Sequence, residues 1–206
     1  MLLLIAGFAF YRLSNSKPTK IQNTKISRIS QWNKEIGSAA LSPDGHTIAF
    51  TSTIAGVPQV FVMLTSGGEP LQLTNDEGAK QVQTFAADGH EIYYRRVSGR
   101  DESWAVPTLG GTPRRIVYGI NLSPSPDGES YYYLKSDSRS IFRSNKSGLN
   151  EETIYTFNPP FFPVGMGVSP DGKSLFTVSV KEQITDTSYS GRLWLENKKF
   201  EELFSL

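Results

Sequence analysis

Residues 123–134 read Ser-Pro-Ser-Pro-Asp-Gly-Glu-Ser-Tyr-Tyr-Tyr-Leu, a turn written directly against a run of strand-forming aromatics. Within it, Ser125-Pro126-Asp127-Gly128 has the chemistry of a tight reversal. Proline presets φ at the second position, aspartate tolerates the bridge region at the third, and glycine takes the left-handed conformation at the fourth. The same four residues recur as Ser42-Pro43-Asp44-Gly45 and Ser169-Pro170-Asp171-Gly172, so the gaps between the starting serines are 83 and 44 residues. The first gap is close to twice the second. A weakened copy stands between them as Ala86-Ala87-Asp88-Gly89, which keeps Asp88 and Gly89 and loses Ser-Pro, giving spacings of 44, 39 and 44. A period of 40 to 45 residues belongs to solenoids and propeller blades.

A second turn follows each copy. Gly68, Gly111 and Gly148 lie 23, 22 and 20 residues after Gly45, Gly89 and Gly128, and the first two close Gly-Gly pairs. Between these turns run short segments rich in β-branched and aromatic residues: HTIAFTST, EIYYRRVS, SYYYLKSD and KSLFTVSV, then QVFVMLTS, SWAVPTL, SIFRSNK and GRLWLEN. Shorter ones follow (PLQLT, PRRIV, EETIY, KFEELF), and small-residue segments such as GSAAL and VGMGV precede the turns, as suits a crowded innermost strand. Four strands per repeat and four repeats predict an all-β fold, a β-propeller of four four-stranded blades at about 32–76, 77–119, 120–158 and 159–206. The turn is then a hairpin device between the first and second strands. Loss of Ser-Pro in the second repeat, and of Gly-Gly in the third and fourth, predicts looser turns there.

The run from Ala40 to Thr74, ALSPDGHTIAFTS followed by GVPQVFVM and GGEPLQLT, resembles the WD40-like (PD40, SPDG) repeat of TolB-like β-propellers. The resemblance covers all four repeats, roughly Ile36 to Leu206, and is strongest in the first. It is specific for the blade and unspecific for activity. Such propellers occur in periplasmic TolB, in peptidases of the prolyl oligopeptidase type, and as sensory ends of bacterial winged-helix regulators and Ser/Thr kinases. The resemblance implies a non-catalytic interaction or sensing module with a protein or peptide partner, and an extracytoplasmic place. Its alternative is the gating propeller of a prolyl-oligopeptidase-like serine hydrolase whose catalytic domain is not in these residues.

The chain has 206 residues, 21 basic and 20 acidic, so no strong field draws it to nucleic acid. Without cysteine it has no disulfide, thiolate metal site or cysteine nucleophile. Residues 1–13 open with the apolar run MLLLIAGFAFY, about half the length of a bilayer-spanning helix. Three readings stand: the end of a transmembrane helix, an unusual signal sequence, or an apolar start packed on the fold. Arg12, Lys17 and Lys20 follow and argue by the positive-inside rule for a cytoplasmic downstream side, against the compartment implied by the resemblance. Residues 14–24 read as a linker, and the propeller begins at Lys25.

Five segments qualify as outermost strands, Lys25 to Ser30 besides Leu71 to Thr74, Arg114 to Val117, Thr153 to Thr156 and Phe200 to Phe204. Five for four blades predicts an open arc of a larger propeller rather than a closed ring.

Candidate chemistry is sparse. His46 and His90 each follow an Asp-Gly turn and read as exposed turn residues. No G-x-S-x-G is present around which a catalytic triad could assemble. Asp44, Asp88, Asp127 and Asp171 fall one to a blade, too dispersed to share an ion. Neither catalytic, cofactor-binding nor metal-ligating residues are assigned. Arg95-Arg96, Arg114-Arg115 and the three tyrosines alternate across strand faces, which splits each set and favours packing between blades. The segment FNPPFFP (157–163) joins the last two repeats, and Phe161 and Phe162 read either as packing at a blade junction or as a partner contact.

Overall fold

The structure, a computed structural model, describes residues 28–29, 31–97 and 99–205. The apolar segment and the linker of the sequence reading lie outside these residues. The described part holds strands and turns and no helix, and none of it is long and apolar enough as a helix to cross a membrane.

Sixteen strands form four antiparallel sheets, each made of four consecutive strands. The first blade is β1 (Ile36–Leu41), β2 (Thr47–Ile54), β3 (Val57–Leu64) and β4 (Leu71–Gln72). The second is β5 (Ala79–Phe85), β6 (Glu91–Val97), β7 (Asp101–Pro107) and β8 (Arg114–Val117). The third is β9 (Ile120–Pro124), β10 (Ser130–Leu134), β11 (Ser140–Asn145) and β12 (Glu152–Thr156), and the fourth β13 (Phe161–Val168), β14 (Ser174–Lys181), β15 (Ile184–Trp194) and β16 (Phe200–Ser205). Successive blades stack face to face, with the first strand of each packed on the blade before it.

The turn residues dictate the hairpins. Gly45, Gly89, Gly128 and Gly172 take φ between 69° and 74°, a region that costs a side chain and suits glycine. In the first blade the Ser42 hydroxyl donates to Asp44 Oδ1 (2.6 Å) and accepts from the Thr47 N–H (2.9 Å), while the Gly45 N–H closes the turn on the Ser42 carbonyl (2.9 Å). Ser125 with Asp127 and Ser169 with Asp171 repeat this pattern. The turn of the second repeat is held by fewer bonds, as expected, because both hydroxyl bonds of the other copies are lost. Ala86 lacks the hydroxyl, yet the Gly89 N–H still reaches the Ala86 carbonyl at 2.9 Å and the His90 N–H reaches Asp88 Oδ1 at 2.9 Å. Where Gly-Gly is missing, asparagine takes over: Asn145 Oδ1 accepts from the N–H groups of Ser147 and Leu149, and Asn197 Oδ1 from that of Lys199.

Alternation along the strands divides the side chains between two junctions per blade. Ala49, Val60 and Val62 of the first blade meet Ile92, Tyr94 and Val106 of the second. Tyr93 and Ala105 meet Tyr131 and Tyr133 of the third. Tyr132, Leu134 and Ile141 meet Leu175 and Leu193 of the fourth. Each fully buried aliphatic or aromatic side chain contributes about 1.5–3 kcal/mol, so these three layers hold the stack together. Each junction is also stapled by a side-chain oxygen on an inner strand that accepts a backbone N–H of the next. Ser38 Oγ takes Val82 N (2.7 Å), Gln83 Oε1 takes Leu122 N (3.1 Å) and Ser123 Oγ takes Val168 N (3.1 Å).

Most of the surplus outer strand, residues 25–27 and 30, lies outside the described residues. Of Lys25 to Ser30 only Arg28 and Ile29 are described, and neither lies in a strand. The two ends of the stack bear on the arc directly. Among the described residues no strands of the first and fourth blades pack together as those of consecutive blades do. The outward face of the first blade, built on Phe50, Phe61 and Met63, is covered from within by Trp32, whose indole N–H donates to Ser52 Oγ at 3.0 Å.

Candidate functional site

Pro43 of the first blade lies against the Gly89 turn of the second, and Pro126 of the third lies against the Gly172 turn of the fourth. Ala87 holds the corresponding place in the second blade and carries no ring to lay against the Gly128 turn. A cleft of about 420 Å³ opens there between the second and third blades, walled by Ala87, Asp88, Pro124 and Pro126. The decayed turn copy therefore has a structural product.

The floor of this cleft is a tyrosine pair. Tyr93 at the start of β6 and Tyr131 in β10 meet edge to face, centroids 5.5 Å apart, with their hydroxyls 3.1 Å apart. Burial and then the Tyr131 hydroxyl push the Tyr93 phenol well above its ordinary range, so it stays protonated. One wall carries Arg114 of β8, whose guanidinium donates to Glu91 at 2.7 Å. Burial opposes the charge of Arg114, but Glu91 outweighs it and holds the group above its ordinary value. Lys146, bound to Glu129 at 2.8 Å, stands at the rim. The arrangement offers donors, acceptors and aromatic edges in a shallow polar concavity. Both of its cations are already paired with carboxylates of the chain, and Asp88, Glu91 and Asp127 line the same cleft, so it is acidic on balance.

The sequence-predicted residues are scattered. His46 and His90 are exposed at their turns, where their backbone groups close the hairpins. Asp44, Asp127 and Asp171 sit in separate blades, each held below the usual carboxylate range by its serine hydroxyl. Among the described residues no three metal-ligating groups converge. The paired arginines diverge: Arg95 binds Asp101 at 2.8 Å, whereas Arg96 lies over the Trp104 ring at 5.2 Å. Phe161 and Phe162 also part, Phe161 turning into the layer between third and fourth blades and against Tyr189, and Phe162, paired with Val180, lying on the opposite face of β13. Sequence reasoning missed the cleft, although the loss of Pro at position 87 marked the place.

With this geometry the class is settled as a β-propeller of TolB-like architecture. The chain superposes on a TolB structure from Agrobacterium tumefaciens with a TM-score of 0.76 at 19% identity, over 86% of this chain and 69% of that one. It also superposes on a puromycin-hydrolyzing peptidase of Mycobacterium tuberculosis with a TM-score of 0.64 at 12% identity, over 88% of this chain and 30% of that one. In sequence it is 36% identical over 98 residues to Tricorn protease homolog 1 of Streptomyces coelicolor, covering 45% of this chain and 9% of that protein. The chain thus spans about a tenth of the length of this curated relative. No family model matches the sequence.

Proposed function

We propose that the chain is a non-catalytic interaction module that binds an extended protein segment at the cleft between its second and third blades. The observation that supports this is the cleft itself, where a missing turn proline leaves a concavity of mixed polar and apolar lining over a buried tyrosine pair between two blades. We further infer that the apolar residues 1–13 tether the module to a membrane with the propeller on the extracytoplasmic side, following the resemblance to TolB-like propellers. Membrane fractionation tests the tether: the full chain sediments with membranes and residues 14–206 do not.

The cleft is tested by filling it. A photoreactive residue in place of Lys146 is expected to crosslink a discrete polypeptide in the cells that make the protein. Ala87→Pro, which supplies the missing ring without removing any hydrogen bond, abolishes that crosslink and does not lower the melting temperature. A crosslink that survives Ala87→Pro, or none at all, contradicts the proposal.

A second reading is favoured by the likeness to two peptidases: a propeller that gates a hydrolase domain. A coding sequence that continues into an α/β-hydrolase domain supports it, and a neighbouring kinase or winged-helix domain supports sensing.

A further inference from the structure

The second copy of the turn lacks two groups that its counterparts keep, and both losses fall on the same cleft. Asp44, Asp127 and Asp171 each accept a serine hydroxyl and a backbone N–H on Oδ1. Asp88 accepts only the His90 N–H (2.9 Å), because Ala86 stands where the others have serine. Its carboxylate thus keeps acceptor capacity that the other three have filled. Ala87, standing in place of proline, opens the cleft that this carboxylate lines.

The floor has the opposite need. Tyr93 and Tyr131 are 4% and 3% exposed and line the cleft, with their hydroxyls 3.1 Å apart. Two phenols share one hydrogen bond, so one of the two hydroxyl protons is left over, and among the described residues no acceptor takes it. An unmatched buried donor is costly, so a molecule seated in the cleft gains by bringing an acceptor to the floor. At the rim the balance is negative. Arg114 and Lys146 are held by Glu91 and Glu129 at 2.7 and 2.8 Å, while the exposed Asp88 and Asp127 make no ion pair among the described residues. An acidic segment would find both cations taken and two carboxylates repelling it.

We infer that the segment seated in this cleft carries a lysine or arginine side chain, whose cation meets Asp88 and Asp127 at the rim while a backbone carbonyl of the same segment accepts the spare tyrosine proton at the floor. The inference rests on the cleft reading proposed above and adds the chemistry of the partner.

Three blocked tripeptides serve as probes: acetyl-Gly-Arg-Gly-amide, its citrulline analogue, which keeps the shape and loses the charge, and its glutamate analogue. Each is titrated at low salt into the isotopically labelled full chain, and the amide signals of Gly89 and Gly128, in the two turns that flank the cleft, are followed by NMR. The arginine peptide is expected to move both signals and to bind at least about tenfold more tightly than the citrulline peptide, with the glutamate peptide weaker still. Asp88→Asn keeps the Oδ1 acceptor for the His90 N–H and should weaken the arginine peptide by about fivefold. Asp171→Asn makes the same charge change at a distant turn and should leave its affinity as it was. Arginine and citrulline peptides that bind equally, and are both displaced by Ala87→Pro, overturn the cationic partner and leave the cleft reading standing. An arginine preference that Asp171→Asn reduces as much as Asp88→Asn overturns it in favour of diffuse surface charge. No movement of the Gly89 and Gly128 signals with any of the three peptides overturns it together with the cleft reading.

Discussion

Lys80 of β5 has its entire side chain out of water, and its ammonium donates to the Asp76 carbonyl (2.8 Å) and to Asp76 Oδ1 (2.7 Å). Burial raises the Asp76 carboxyl, but the Lys80 ammonium and the Gly78 N–H outweigh it and leave the group below its usual range. Removing one partner of a buried pair costs more than removing the charge with it. Asp76→Ala is thus expected to lower stability by about 2–3 kcal/mol in urea unfolding, and Lys80→Met by less. Glu151 carries a pH dependence. Burial pulls its carboxyl up, and donation from Lys135 Nζ and the Tyr133 hydroxyl more than reverses this, so it ionises below the ordinary glutamate range. A carboxylate with a lowered folded pKa adds stability that is complete above its unfolded value, about 4.3, and disappears as pH falls through the folded one. The melting temperature should accordingly fall as pH drops below the unfolded value of about 4.3, and Glu151→Gln should shrink that fall. An equal fall in the variant removes Glu151 as its source.

Turns and strands are the scale at which the sequence was most legible. Asp-Gly positions, β-branched runs and small-residue inner strands placed sixteen strands in order, because turn chemistry and alternation are local properties. Less legible were substitutes that act across space. Asn145 and Asn197 replace glycine pairs through side-chain acceptors, which spacing does not reveal. Ser38, Gln83 and Ser123 are polar residues in strands, and only the stacked blades make them internal partners. The cleft belongs here too, since it follows from Ala87 facing a turn 41 residues further along at Gly128. Gly148, at φ 73°, ties the third blade's last turn to the second: a Cβ there would lie 2.0 Å from the Ile116 carbonyl oxygen. Gly148→Ala must adopt a left-handed conformation and push two blades apart, and about 2–4 kcal/mol of destabilisation is expected in thermal unfolding. A loss below about 0.5 kcal/mol would show that the junction yields.

At the scale of the molecule the four blades form a stack with unlike ends. One end is finished by Trp32 over Phe50 and Phe61, and the other presents Phe176, Val178 and Phe204. Trp32→Ala uncovers the first face and forfeits the Ser52 hydrogen bond, a loss of about 2 kcal/mol expected in the same unfolding assay. The cleft lies at the turn end between the second and third blades, and the exposed face of the fourth lies at the end of the series. The claim that the stack is an arc is tested most directly by hydrogen exchange on Phe176→Asp. An open fourth face predicts that amide protection in β1, β2 and β3 is unchanged and that any loss stays in β14 and β15. A joint loss of protection in β2 and β3 would mean that the first and fourth blades close on each other, and would contradict the account.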